Sequence, residues 1–92
     1  MIRSFKCPET QALSKGERIR RFGNIAAVAQ RKLRQLQIAG RLDDLRVPPG
    51  NRLEALKGDR RGQHSIRIND QWRVCFRWTE AGAEDVEIVD YH

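Results

Sequence analysis

WRVCFRW, residues 72–78, is the stretch that decides the fold. Its side chains alternate, with Trp72, Val74, Phe76 and Trp78 on one side of an extended chain and Arg73, Cys75 and Arg77 on the other. A period of two in aromatic and β-branched residues predicts a strand with one apolar face. That face needs a covering layer of helices. The opposite face is expected to carry Arg73 and Arg77 into solvent or toward a ligand.

Three neighbouring stretches share the period: RLEALK (52–57), HSIRI (64–68) and DVEIVDY (85–91). Short Gly, Asp and Asn turns separate them, which suits an antiparallel meander. Upstream, IRSFKC ahead of Pro8 reads as a short edge strand, and ETQALSKGE as a short helical piece. The clearest helix runs from Asn24, a candidate cap, through Ile25, Val28, Ala29, Leu33 and Leu36 to Gly40. RLDDLRVPPGN (41–51) follows as a linker in which Pro48, Pro49 and Gly50 are expected to forbid regular structure. The fold class is therefore α+β: one domain over residues 1–92, a mainly antiparallel curved sheet with N-terminal helices packed on one face.

Charge narrows the partner. The 92 residues carry a net charge of +6 and a pI near 10.2, which favours a polyanion. Residues 1–46 hold 11 Lys and Arg against 4 Asp and Glu, and residues 47–92 hold 7 against 8. Arg18, Arg20, Arg21, Arg31, Lys32 and Arg34 are thus the expected footprint for a polyanion such as RNA. Cys7 and Cys75 form no Cys-x-x-Cys pair and only two histidines accompany them, so no metal or cofactor is expected. MIRSFKCPET lacks an apolar signal core and no stretch is long enough to span a membrane, which makes the cytoplasm the expected location.

The run LKGDRRG, then SIRINDQWR, then EIVDYH resembles the RelE-like toxins of type II toxin-antitoxin modules, specifically the HigB or plasmid-maintenance killer branch. The likeness extends over essentially the whole chain. It implies a ribosome-dependent, metal-independent mRNA endonuclease that acts in the ribosomal A site among ribosomal RNA. It also implies a helix-turn-helix antitoxin, through which the toxin meets operator DNA indirectly. Carried onto this sequence, the family's catalytic positions fall on Lys57, Arg73, Asp90, Tyr91 and His92. Some members have a histidine three residues before the lysine. Glu54 stands there instead, and a part in proton transfer is left open for it.

Metal-free RNA cleavage requires a base for the 2'-hydroxyl, cations for the phosphorane and an acid for the departing 5'-oxygen. Lys57 and Arg73 suit the charge of the transition state. His92 has an ordinary pKa of about 6.5 and suits proton transfer near neutrality. Asp90, Tyr91 and His92 divide base and acid in a way the residues alone leave open. His64 reads as structural or as a peripheral RNA contact, and Trp72 and Trp78 as core. The other reading is a ribosome or RNA binder that blocks translation by occupancy, without catalysis, under the control of a bound antitoxin.

Overall fold

The computed structural model describes residues 1–90. Four strands, β1 (Glu54–Ala55), β2 (His64–Arg67), β3 (Trp72–Thr79) and β4 (Gly82–Asp90), form one antiparallel sheet in sequence order. Short turns join β2 to β3 and β3 to β4, and an eight-residue connection joins β1 to β2, so consecutive strands lie side by side. RLEALK contributes only the two residues of β1. The β3–β4 register is irregular, because Cys75 faces Glu87 while Arg77 faces Glu84. The extra residue lies on β4, where Asp85 takes a positive φ of 53°, and the resulting bulge bends the strand.

The expected edge strand at the N-terminus is reduced to two parallel bridges, Ile2 to Ala83 and Phe5 to Val86. Gly82 makes this close approach possible. Its φ of +129° suits glycine alone, and a Cβ there would collide with the Met1 carbonyl.

Two helices cover one face, α1 (Pro8–Ser14) and α2 (Ala26–Ile38). Pro8 sits in the first turn of α1, where its missing N–H costs nothing. Asn24 does not cap α2. Ile25 occupies the cap position without a side-chain bond and is itself buried, so apolar burial sets the start of the helix. Ala29, Leu33 and Leu36 of α2 join Val74, Phe76, Val86 and Ile88 of the sheet in one core with Leu13 and Phe22. Each of these side chains larger than alanine contributes about 1.5–3 kcal/mol on burial. Buried Thr10 fastens α1 to the sheet by accepting the Ile88 N–H at 3.0 Å. Trp72 and Trp78 pack edge-on against Phe22 and Phe76 and border the core while half-buried.

The linker is more ordered than its prolines imply. It holds two 3-10 turns, Leu42–Arg46 and Pro49–Asn51. Pro49 opens the second turn, where its missing N–H costs nothing, and Asn51 is wholly buried. Its amide nitrogen donates to the Gln35 side chain at 2.9 Å and to the Leu45 carbonyl at 3.1 Å. Among the described residues no helix is long and apolar enough to cross a membrane.

The second face of β3 departs most from expectation. Arg77 is exposed, but Cys75 is 0% and Arg73 only 8% exposed. The connection from β1 to β2 folds back over this face. There Leu56 is buried, and its N–H donates to the Gln63 carbonyl at 2.8 Å. Arg60 reaches across to Glu87 at 2.8 Å. Alternation correctly assigned the sides; it carried no information about a cover.

Candidate functional site

Arg73 lies on the floor of a small polar pocket of about 280 Å³, lined by Arg52, Glu54, Arg67, Asn69, Asp70 and Arg73 itself. Its Nε donates to the Ser65 hydroxyl at 2.7 Å, and a terminal nitrogen donates to the Arg52 carbonyl at 2.7 Å. That same nitrogen pairs with Glu54 Oε1 at 3.0 Å. Arg52 holds its place at a φ of 45°, the left-handed region that costs a non-glycine residue about 1 kcal/mol or more. The guanidinium is therefore fixed in position and orientation.

Register explains how the pocket collects its charge. Arg67 on β2 is the direct partner of Arg73 on β3, and like charges facing each other across a ladder repel. Glu54 offsets this at Arg73, and Asp70 does so by pairing with Arg67. Three arginines against two carboxylates leave the pocket one positive charge in excess. The carboxylates are the exposed partners, Glu54 at 53% and Asp70 at 99%. Ion pairs so open to water are worth about 0–1 kcal/mol. An incoming anion can displace both carboxylates cheaply and meet arginines already in place. Asn69 closes the β2–β3 turn by accepting the N–H groups of Gln71 and Trp72 at 2.8 Å each.

The expected catalytic residues are only partly gathered here. Arg73 and Glu54 are in contact. Lys57 is exposed, three residues past Glu54 at the start of the 3-10 turn Gly58–Arg60, and does not line the pocket. Asp90 ends β4 opposite Trp72 and accepts a bond from the Gln71 amide at 3.0 Å. By that pairing Asp90 takes the helix-bearing face of the sheet and Arg73 the other, at the same sheet end. Tyr91 and His92 lie outside the described residues. His64 stacks on Phe76 at 6.3 Å.

The six N-terminal cations do not form one patch. Arg18 and Arg20 are exposed ahead of α2. Arg21 pairs with Glu9 at 2.7 Å and lies over Trp72, 5.7 Å from the ring centre, which brings it to the start of β3. Lys32 donates to Asn51 Oδ1 at 2.6 Å. Burial pushes its ammonium below the usual lysine value, with nearby Arg31 and Arg67 adding to the effect. Arg31 and Arg34 line a different, larger furrow. Sequence reasoning missed Arg52, Arg67, Asn69 and Ser65. Folding IRINDQWRV about its Asn-Asp turn would have set Arg67 opposite Arg73.

A curved antiparallel sheet with helices on one face and this arginine-lined pocket on the other defines a small RelE-like α+β domain. A family model described as the RelE-like toxin of the type II toxin-antitoxin system HigB matches residues 11–92, and the chain belongs to that family. It is 49% identical over 53 residues to Toxin HigB-1 of Vibrio cholerae serotype O1, which covers 58% of this chain and 56% of that protein. It is 36% identical over 55 residues to an uncharacterized protein of Haemophilus influenzae, covering 60% and 54%. The chain thus spans about half the length of the curated relatives it matches.

Proposed function

We propose that this protein is the toxin of a toxin-antitoxin pair and cleaves mRNA in the ribosomal A site without a metal ion. The observation that carries the reading is the pocket around Arg73. Arg52, Arg67 and Arg73 converge on a cavity of about 280 Å³, near the lower bound for ligand pockets and suited to one phosphodiester group. Family membership supports the same conclusion.

In this reading a base removes the proton from the 2'-hydroxyl, whose oxygen attacks the adjacent phosphorus. The bond from phosphorus to the 5'-oxygen breaks, an acid protonates that oxygen, and a 2',3'-cyclic phosphate remains. Arg73, held by Ser65 and Arg52, takes the charge of the phosphorane without reorganising. Lys57 adds a second cation. Asp90, Tyr91 and His92 supply the proton-transfer groups, and Glu54 joins them if it leaves Arg73 when the phosphate enters. Arg18, Arg20 and Arg21 hold ribosomal RNA around the site. A helix-turn-helix antitoxin neutralises the protein and links it to operator DNA, and the setting is the cytoplasm.

The alternative of a silent ribosome binder draws on one observation: the Nε and one terminal nitrogen of Arg73 are already engaged within the protein. Inducing the protein in growing cells and sequencing message ends separates the two. New 5' ends inside reading frames are expected; stalled but intact messages would favour occupancy.

A further inference from the structure

A furrow larger than the Arg73 pocket lies on the helix side of the sheet, away from that pocket. It runs between the N-terminal segment, the end of α1 and α2, and encloses about 690 Å³. Ile2, Phe5, Ala27 and Leu33 supply its apolar surface, and Lys15, Arg31 and Arg34 its charge. Among the described residues no carboxylate lines it.

The spacing on α2 is that of a second helical face. Ala27, Arg31, Arg34 and Gln37 recur every three or four residues, while Ala29, Leu33 and Leu36 are buried in the core. From Ala27 to Gln37 the furrow follows α2 for roughly 15 Å at about 1.5 Å per residue, close to three turns. At its far end the Ile2 N–H donates to Gln37 at 2.9 Å, and the Met1 ammonium donates to the Ala39 carbonyl at 3.3 Å. Met1 therefore sits beside the end of α2, where Ile38 is 74% and Met1 53% exposed. These are two of the three exposed large hydrophobic side chains among the described residues. The furrow thus continues into uncovered apolar surface.

We infer that this furrow docks an amphipathic, acidic helix of about three turns belonging to the partner antitoxin, an assignment that rests on the toxin-antitoxin reading above. The apolar stripe of that helix covers Ala27, Ile38 and Met1, and its carboxylates meet Lys15, Arg31 and Arg34. This is the helix-in-groove mode of recognition. RNA fits less well, because single strands bind through exposed aromatic platforms, and the one aromatic ring here, Phe5, is half-buried and packed against the core.

The test titrates the full chain with the purified antitoxin encoded beside it, and separately with single-stranded RNA. Wild type is compared with Arg31→Glu/Arg34→Glu and with Ile38→Asp, with circular dichroism verifying the fold of each. Both variants are expected to bind antitoxin at least tenfold more weakly than wild type. Variants that bind antitoxin as tightly as wild type overturn the furrow assignment alone. A wild-type chain that binds no antitoxin overturns the partner reading and this occupant together. RNA binding that depends on Arg31 and Arg34, with antitoxin binding unaffected, reassigns the furrow to RNA and also overturns the proposal.

Discussion

Replacing Arg73 with alanine is expected to cost stability as well as function. An exposed arginine would leave the fold intact when removed, but this side chain is 10% exposed and holds two groups together. Its loss strands the Ser65 hydroxyl, in a wholly buried residue, and the Arg52 carbonyl. An unsatisfied buried polar group costs about 1–3 kcal/mol. The Glu54 pair adds less than about 1 kcal/mol, because Glu54 is half open to solvent. Relief of the repulsion from Arg67 returns about 0.2–1 kcal/mol. Because Arg52 is exposed and water reaches its carbonyl, the two groups together stand near the low end of that range, and the net is a loss of about 2–3 kcal/mol. For a domain of this size, about 4–8 °C per kcal/mol lowers the melting temperature by roughly 10–20 °C. Urea and thermal unfolding followed by circular dichroism measure it, and Ser65→Ala should show about half the effect. An Arg73→Ala protein within about 0.5 kcal/mol of wild type, the range of ordinary surface substitutions, would show that the guanidinium is not held as described. Cleavage by any Arg73 variant is best compared at equal folded fraction.

Three other outcomes are expected. Gly82→Ala should destabilise the fold by about 2–4 kcal/mol, because the new methyl meets the Met1 backbone at a positive φ; faster amide exchange at Arg3 and Ala83 would locate the damage. Burial raises the Cys75 thiol above its ordinary 9.0, so the unfolded thiol ionises first and stability falls as pH climbs through about 9 toward the folded value. Cys75→Ser should flatten that fall in urea midpoints taken across pH 8 to 10, and an unchanged slope would assign it to other groups. Reversing Arg18 and Arg20 together should weaken ribosome binding and reduce its salt dependence by about two counterions' worth; an unchanged salt slope places the footprint elsewhere.

Periodicity made much of the fold legible. The two-residue repeat of WRVCFRW and the helical spacing of Ile25, Ala29, Leu33 and Leu36 both mark faces that the structure buries. What escaped depends on contacts between distant segments. Nothing in the neighbourhood of Cys75 announces that the chain after β1 reaches across to Glu87, its partner on β4. Arg67 becomes a pocket residue only through its register with Arg73, and Arg52 through a left-handed turn after two prolines. Asn24 had the chemistry of a cap, yet burial of Ile25 sets the helix start, as packing commonly overrides local preference. The bulge at Asp85 likewise interrupts an alternation that reads as continuous from Asp85 to Tyr91.

The most direct test uses purified ribosomes programmed with a defined message, with the chelator EDTA added only after the ribosomal complex has been stabilised. One message is all-RNA and the other carries a 2'-deoxy sugar at the A-site codon. Primer extension after addition of the protein should show a cut within the A-site codon of the first message, and an intact second message that still binds the protein. Equal cutting of both messages would exclude attack by the 2'-hydroxyl, and two intact messages on protein-bound ribosomes would contradict the nuclease reading.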